Sequence, residues 1–335
     1  MSTKTIAIIG ATGTQGSSVA KAFLSTPGWF VRAITRNPNS PSALLLAAQG
    51  CELAQADLSD ISSLKPAFQG ADAIFVNTDF WARYTAGETR DGNAAFEQEI
   101  LHGKNAALAA AEVEGLKRFV YSALASPEKG SGGKYKKGLH LEAKGRVVEF
   151  IESDERVRTL REKTSFIYLG AYATNPLFTP RYDEKSGVYK FIVQVKGSAR
   201  MPVINAGGST GGFVRELILT EPAGTNLLAY DRDSYLTIDE AVEIWKKRTG
   251  EKAVLETATV EYINREFGLP LEVLEAPLFI EEFGYMGGVE EFIEPGQLKN
   301  EVDTKSFAEW LAERDWKELV GSGEAEREGI RGVEV

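Results

Sequence analysis

Gly10, Gly13 and Gly16 follow one another at steps of three, between an apolar run and a segment of helical periodicity. The run Ile6-Ala7-Ile8-Ile9 shows no polar alternation, which suits a parallel strand buried on both faces. Beyond the glycines, Val19, Phe23 and Leu24 share one stripe of a helix. A strand, a glycine turn and a helix in that order build an anion site. Glycine lets the backbone approach a diphosphate, and the helix N-terminus offers unpaired N–H groups at the positive end of its dipole. The segment Gly10-Ala11-Thr12-Gly13-Thr14-Gln15-Gly16 is therefore read as the cradle of a dinucleotide. In such a site the residue about 20 positions past the glycines meets the adenosine ribose; an acid there selects NAD, whereas arginine admits the 2′-phosphate of NADP. Arg36, in Thr35-Arg36-Asn37-Pro38 with no acid beside it, predicts NADP(H).

The elements that must position these groups alternate regularly. Strands are expected at Trp29–Thr35 and over residues 52–57, 71–77, 116–122 and 164–170, with helices between them. That order predicts an α/β fold, a Rossmann-type doubly wound parallel sheet, with ligands at the carboxyl ends of the strands. Asp57-Leu58 ends the third strand, where Asp57 either meets the adenine or caps the next helix; Asn77 and Thr78 end the fourth and line the crevice. Residues 79–93 read as a loop framing the site, with Phe80, Trp81 and Tyr84 as candidate substrate walls. The long helix over 94–114 carries a stripe of Phe96, Ile100, Ala107 and Ala111. Residues 126–138 are rich in glycine and lysine and read as flexible, and they carry Tyr135, a candidate proton donor. In the following helix His140 and Lys144 stand four apart and share one face.

The sixth strand breaks at Gly170, and Gly170, Tyr172 and Asn175 are assigned to the cofactor site. Tyr172 is read as stacking over the nicotinamide or walling the substrate pocket. After Asn175 the alternation stops. Residues 1–175 are read as the nucleotide domain, with 212–250 returning to it. Residues 176–211 and 251–320 form a smaller interleaved C-terminal α/β lobe, and 321–335 a polar tail.

Composition limits the functional classes. A formal charge of −10 argues against a broad grip on nucleic acid, and no apolar run reaches membrane-spanning length. A single cysteine, Cys51, precludes an internal disulfide, and two histidines leave little for a metal site. A cytoplasmic protein, monomer or homodimer, is expected.

Together, the turn from Gly10 to Gly16, Thr35-Arg36-Asn37-Pro38, Tyr121-Ser122, the His140/Lys144 helix, Gly212-Phe213-Val214-Arg215 and Glu282-Phe283-Gly284-Tyr285-Met286-Gly287-Gly288 resemble the NmrA-like family, and the arrangement resembles its fungal members. This family is an atypical branch of the short-chain dehydrogenase/reductases, and the resemblance spans nearly the whole chain. It implies a Rossmann domain binding NADP(H) beneath a smaller lobe. It also implies one of two functions. One is an NADPH-dependent reductase of a small hydrophobic substrate with a C=O, C=N or C=C bond. The other is an NADP(H)-sensing regulator that binds a transcription factor or signalling protein. The ordinary superfamily pair is Tyr-x-x-x-Lys; here His140 stands in the tyrosine's place, and the resemblance gives Lys144 the ribose and nicotinamide. Ser122 matches the superfamily serine that polarises the substrate. His140 is read either as a proton donor or as a packing residue at the start of its helix.

Overall fold

The computed structural model describes residues 3–86 and 90–321. The chain opens with β1 (Lys4–Ile9), α1 (Thr14–Leu24), β2 (Trp29–Thr35), α2 (Pro41–Ala48), β3 (Glu52–Gln55), α3 (Ile61–Phe68) and β4 (Ala73–Val76). It continues with α4 (Phe80–Thr85), α5 (Gly92–Ala111), β5 (Arg118–Ala123), α6 (Pro127–Gly130), α7 (Leu139–Ser153), α8 (Arg158–Arg161) and β6 (Thr164–Leu169). Then come four short strands, β7 (Ala171–Tyr172), β8 (Arg181–Asp183), β9 (Val188–Val193) and β10 (Arg200–Ile204), followed by α9 (Ala206–Leu219) and β11 (Asn226–Ala229). Seven strands make one parallel sheet in the order β11-β6-β5-β4-β1-β2-β3. The chain reverses direction of travel between β1 and β4, and the crevice that such a switch point opens lies over the carboxyl ends of those strands.

Strand alternation distributes the sheet's side chains between two helical layers. Ile6 and Ile8 pack toward α1 and α9, Ala7 and Ile9 toward α5 and α7. All six residues of β6 are buried, as expected of a strand covered on both faces. In α2, by contrast, only Ala43 and Leu46 are buried, and Leu44 and Leu45 face solvent. The stripe of α5 is rotated from the one its apolar residues suggest: Ala95, Glu99, His102, Gly103 and Ala106 face inward, while Phe96 and Ile100 lie at the margin. A glutamate and a histidine on the inner face hide the true phase from a hydrophobicity count.

Helix α9 begins at Ala206, six residues ahead of the 212–250 stretch read as returning to the nucleotide domain. Its glycines weaken helix propensity but let α9 lie against α1. Gly211 N donates to Ser18 Oγ at 2.9 Å, and a Cβ on Gly211 would overlap the Ser18 carbonyl oxygen.

Much of the remaining chain joins β9 and β10 in a smaller lobe with its own core. Further elements are β12 (Tyr235–Thr237), α10 (Ile238–Thr249), β13 (Ala253–Thr257), α11 (Val260–Phe267), α12 (Leu271–Phe283), α13 (Phe307–Ala312) and α14 (Trp316–Gly321). A capping box between Thr237 and Glu240 starts α10 as the sequence predicts. Yet Trp245 of α10 packs with Phe191, Phe279 and Trp310 in the lobe's own core. The return to the large sheet is therefore α9 and β11, not the whole of 212–250. The polar tail lies outside the described residues apart from Gly321, which ends α14. Met286 enters the core of the large sheet, while Gly287 and Gly288 meet Gly130 so closely that a Cβ at either Gly130 or Gly288 would overlap backbone. This seam explains Gly287 and Gly288, while Gly284 ends α12 at φ +82°. No helix among the described residues is long and apolar enough to cross a membrane.

Candidate functional site

The turn after β1 is built for close approach. Gly10 adopts φ +72°, which disfavours any side chain, and Gly13 N donates to Gly10 O at 3.0 Å to close the turn. Gly13 is the N-cap of α1 and offers no side-chain bond, so the first N–H groups of that helix have no capping acceptor. A Cβ on Gly16 would overlap the Gly10 carbonyl oxygen. A cleft extends from Gly10 and Thr12 across the strand ends to Arg36, Asp57, Leu58 and Asn77. Arg36 is exposed on that wall and forms no ion pair among the described residues. Asp57 lines the cleft and accepts from Ser59 N at 2.8 Å, a local turn bond, so it is not the helix cap that one reading of it expected. The cap of α3 itself is Asp60. An uncapped helix start, a glycine floor without room for a Cβ and a free guanidinium fit a phosphorylated dinucleotide.

Lys144 on α7 lies behind Asn77, which lines this cleft, and is 2% exposed. Its Nζ donates to Asn77 Oδ1 (3.1 Å), Thr78 O (3.0 Å), Thr78 Oγ1 (3.1 Å) and Ser122 O (3.3 Å). It also lies 3.2 Å from Glu99 Oε1, and Glu99 is 0% exposed. Thr78 Oγ1 donates to the same carboxylate oxygen at 2.7 Å, and Tyr121 OH is 3.0 Å from Thr78 Oγ1. Burial, and then the charge of Glu99, push the Tyr121 phenol well above its usual range, so it is neutral. Thr78 is thus a support beneath Lys144 rather than part of the cleft wall. Asp79, at the edge of the same network, caps α4 and is pushed up to about 6, chiefly by burial.

On the far side of Lys144 a second cavity opens between the lobes. Gln15, Ser122, His140, Gly170, Tyr172 and Asn175 contribute to its sheet-side wall; Ile192, Leu274, Pro277 and Ile280 form much of the opposite one. Gln15 Nε2 donates to Tyr172 OH at 2.8 Å, tying the phosphate turn to β7, while Gln15 Oε1 is buried without a partner. Gly170 has backbone of Pro202 where a Cβ would go, and Asn175 caps the turn at Leu177 through Oδ1 at 3.0 Å. Tyr285 OH donates to Leu169 O at 2.7 Å, anchoring the lobe on the end of β6.

His140 lines this cavity in contact with the Trp81 ring, centroids 5.2 Å apart. Burial pushes its pKa down to about 3, opposed by the hydrogen bond its ring donates to the Glu272 backbone carbonyl and assisted by the Lys144 charge. Near neutral pH the imidazole is therefore uncharged, a hydrogen-bonding wall residue rather than a proton reservoir. In the unfolded chain it titrates near 6.5, so between that pH and about 3 only the unfolded state gains the proton. Its contribution to stability falls as pH drops through this window. Asp79 acts in the opposite sense: it holds its proton in the fold, and that contribution is lost as pH rises from about 3.8 to about 6. The His140→Gln variant is accordingly expected to lose less stability than the parent on going from pH 7 to pH 5. Urea unfolding midpoints at the two pH values measure this.

Two sequence expectations are corrected. Residues 80–85 are helical, and Phe80, Trp81 and Tyr84 pack with Ala95 in a buried cluster instead of lining the cavity. Residues 87–89 of the expected loop lie outside the described residues. Tyr135 is tied to α12, its OH donating to Glu282 Oε2 at 2.9 Å and its ring edge-on to Phe279, and it does not line the cavity. Thr14 is the first residue of α1, and its N–H is among those left without a capping acceptor. Sequence reasoning missed Glu99, Asp79 and Tyr285. For Glu99 there was a signal, an acid four residues from Ala95 and from Gly103 on one helical face. Among the described residues no cluster of histidine, cysteine or acidic groups could hold a metal ion.

A model of the NmrA-like family matches residues 2–311. The NmrA-like family domain-containing oxidoreductase hkm9 of Aspergillus hancockii is 30% identical over 288 residues, 80% of this chain and 79% of that one. FrzB of a Cladobotryum species, with the same description, is 28% identical over 260 residues, 74% of each chain. Among solved structures, NmrA, a negative transcriptional regulator in complex with NAD, superposes with TM-score 0.68 at 19% identity over 98% of both chains. The binary complex of leucoanthocyanidin reductase with NADPH from Vitis vinifera gives TM-score 0.68 at 18% identity, over 92% of this chain and 98% of that one. A strand–glycine–helix cradle over a doubly wound sheet, a matching family model across most of the chain and a fungal relative along four-fifths of it lead to one conclusion: the chain belongs to the NmrA-like family.

Proposed function

We propose that the protein is an NADP(H)-dependent reductase of a small hydrophobic substrate. The observation that carries this reading is the placement of Lys144, which stands between a cleft suited to a phosphorylated dinucleotide and a cavity walled by aliphatic side chains. The fungal relatives are described as oxidoreductases, and one structural neighbour of the same fold holds NADPH. A reduced nicotinamide held there supplies hydride to an electrophilic C=O, C=N or C=C carbon.

Each residue then has a defined task. Gly10, Gly13 and Gly16, with the N–H groups at the start of α1, take the diphosphate; Arg36 takes the 2′-phosphate. Asp57, Leu58 and Asn77 wall the adenosine side of the cleft, and Thr12 its floor. Lys144 is fixed at the junction, held from behind by Glu99 and Thr78. Ser122 offers a hydroxyl to the reacting group, Tyr172 walls the pocket, and the aliphatic wall excludes water.

Arg36→Ala is expected to weaken NADP binding about tenfold or more, in line with loss of a charge-assisted phosphate contact, and to leave NAD binding unchanged. Calorimetric titration with the two nucleotides measures the ratio. Activity is tested by mixing the protein and NADPH with quinones, aldehydes, enones and imines and following NADPH oxidation. Consumption that depends on Lys144 supports the reductase; tight binding with no consumption across the panel favours a regulator that senses the nucleotide, as the likeness to NmrA would suggest.

A further inference from the structure

Lys144 is the one side chain lining the inter-lobe cavity that carries a charge at neutral pH among the described residues. His140 is held neutral there, and Tyr285 is a phenol pushed far up by burial. The Lys144 charge is in turn opposed by Glu99, which lies behind it, fully buried, with Oε1 at 3.2 Å from Nζ. An ammonium has three hydrogens. Chain acceptors from Asn77, Thr78, Ser122 and Glu99 surround this one within 3.3 Å, so its hydrogens are committed inward. The second carboxylate oxygen of Glu99 is buried without a partner, so no other cation offsets its charge.

We propose that Glu99 is a specificity-determining residue: it cancels the Lys144 charge, so the cavity accepts uncharged apolar molecules and rejects anionic ones of the same shape. This rests on the reading of that cavity as the substrate site. In a dry, low-dielectric wall an uncancelled ammonium would attract a carboxylate or sulfonate strongly, whereas a lysine–glutamate pair presents almost no net field to it. The class of substrate follows: a neutral, largely aliphatic or aromatic molecule without acid groups.

Two fluorescent probes share one frame and differ by a sulfonate, N-phenyl-1-naphthylamine (neutral) and 8-anilino-1-naphthalenesulfonate (anionic). Both are titrated into the full chain, with and without NADP, and each is used to displace the other. The parent protein is expected to bind the neutral dye at least about tenfold more tightly. Glu99→Gln keeps the shape and removes the countercharge, and is expected to shift the affinity ratio about tenfold or more toward the anion. Glu99→Asp keeps the charge and the parent's preference. Should Glu99→Gln not fold, Gln194→Lys places a new cation on the same wall, outside the pair, and should shift the ratio the same way. Equal binding of both dyes by the parent, no binding of either, or a ratio unmoved by the folded variants would overturn the proposal. Neither dye is reduced, so the result stands apart from turnover: dye selectivity without NADPH consumption would count against the reductase reading alone.

Discussion

Lys144→Met is expected to be the most damaging single substitution in the site, and the damage should be partly repaired by a second one. Lys144 and Glu99 are both essentially removed from water and lie 3.2 Å apart. Removing one member of such a pair leaves a buried charge without a partner, which typically costs about 3–5 kcal/mol. For a folded chain whose net stability is about 5–15 kcal/mol, that is a large fraction. The double variant Lys144→Met/Glu99→Gln leaves no unpaired charge and should recover most of the loss. NADPH consumption should stay absent in both, because the fixed cation at the junction is gone. Urea unfolding at constant pH separates the two effects. A Lys144→Met protein as stable as the parent would mean that the pair is not formed in solution.

The second large effect is expected at Gly16. Its missing side chain is what allows α1 to start against the carbonyl of Gly10, and a methyl group there overlaps that oxygen. Gly16→Ala must therefore move the turn or tilt the helix, and the N–H groups that would meet a diphosphate move with it. Nucleotide affinity is expected to fall about a hundredfold or more, as for a site displaced by a fraction of an ångström, with a smaller loss of stability of about 1–3 kcal/mol. Gly28 offers the contrasting control in nucleotide binding. It has φ +79° but nothing within 4 Å of its Cβ position, so Gly28→Ala strains the backbone locally without touching the turn.

How legible these features were depends on whether the physics is local. The glycine turn, the order of strands and helices and the capping box at Thr237 are read correctly from the chain, because each is set by residues within one turn or one strand. Lys144 and Arg36 were singled out because they sit at fixed offsets from such elements. Glu99 was not, since its role depends on a partner 45 residues away, met only when α5 and α7 pack together. The same non-locality explains Phe80, Trp81 and Tyr84. Aromatic residues in a polar stretch look available for a ligand, yet Asp79 caps a short helix that turns them against Ala95 and His140. Tyr135 looked free in a glycine-rich segment, and α12, far along the sequence, holds it by Glu282. The early start of α9 was hidden by its own glycines, whose low helix propensity is overridden by close packing on α1.

The central claim is that a dinucleotide bearing a 2′-phosphate lies across the strand ends with that phosphate at Arg36. Calorimetry of the folded protein with NADP and NAD, repeated on Arg36→Ala, tests it most directly. Clear heat and tighter binding are expected for NADP in the parent, with the preference erased in the variant. No heat from either nucleotide, or a preference for NAD that survives the substitution, would contradict it.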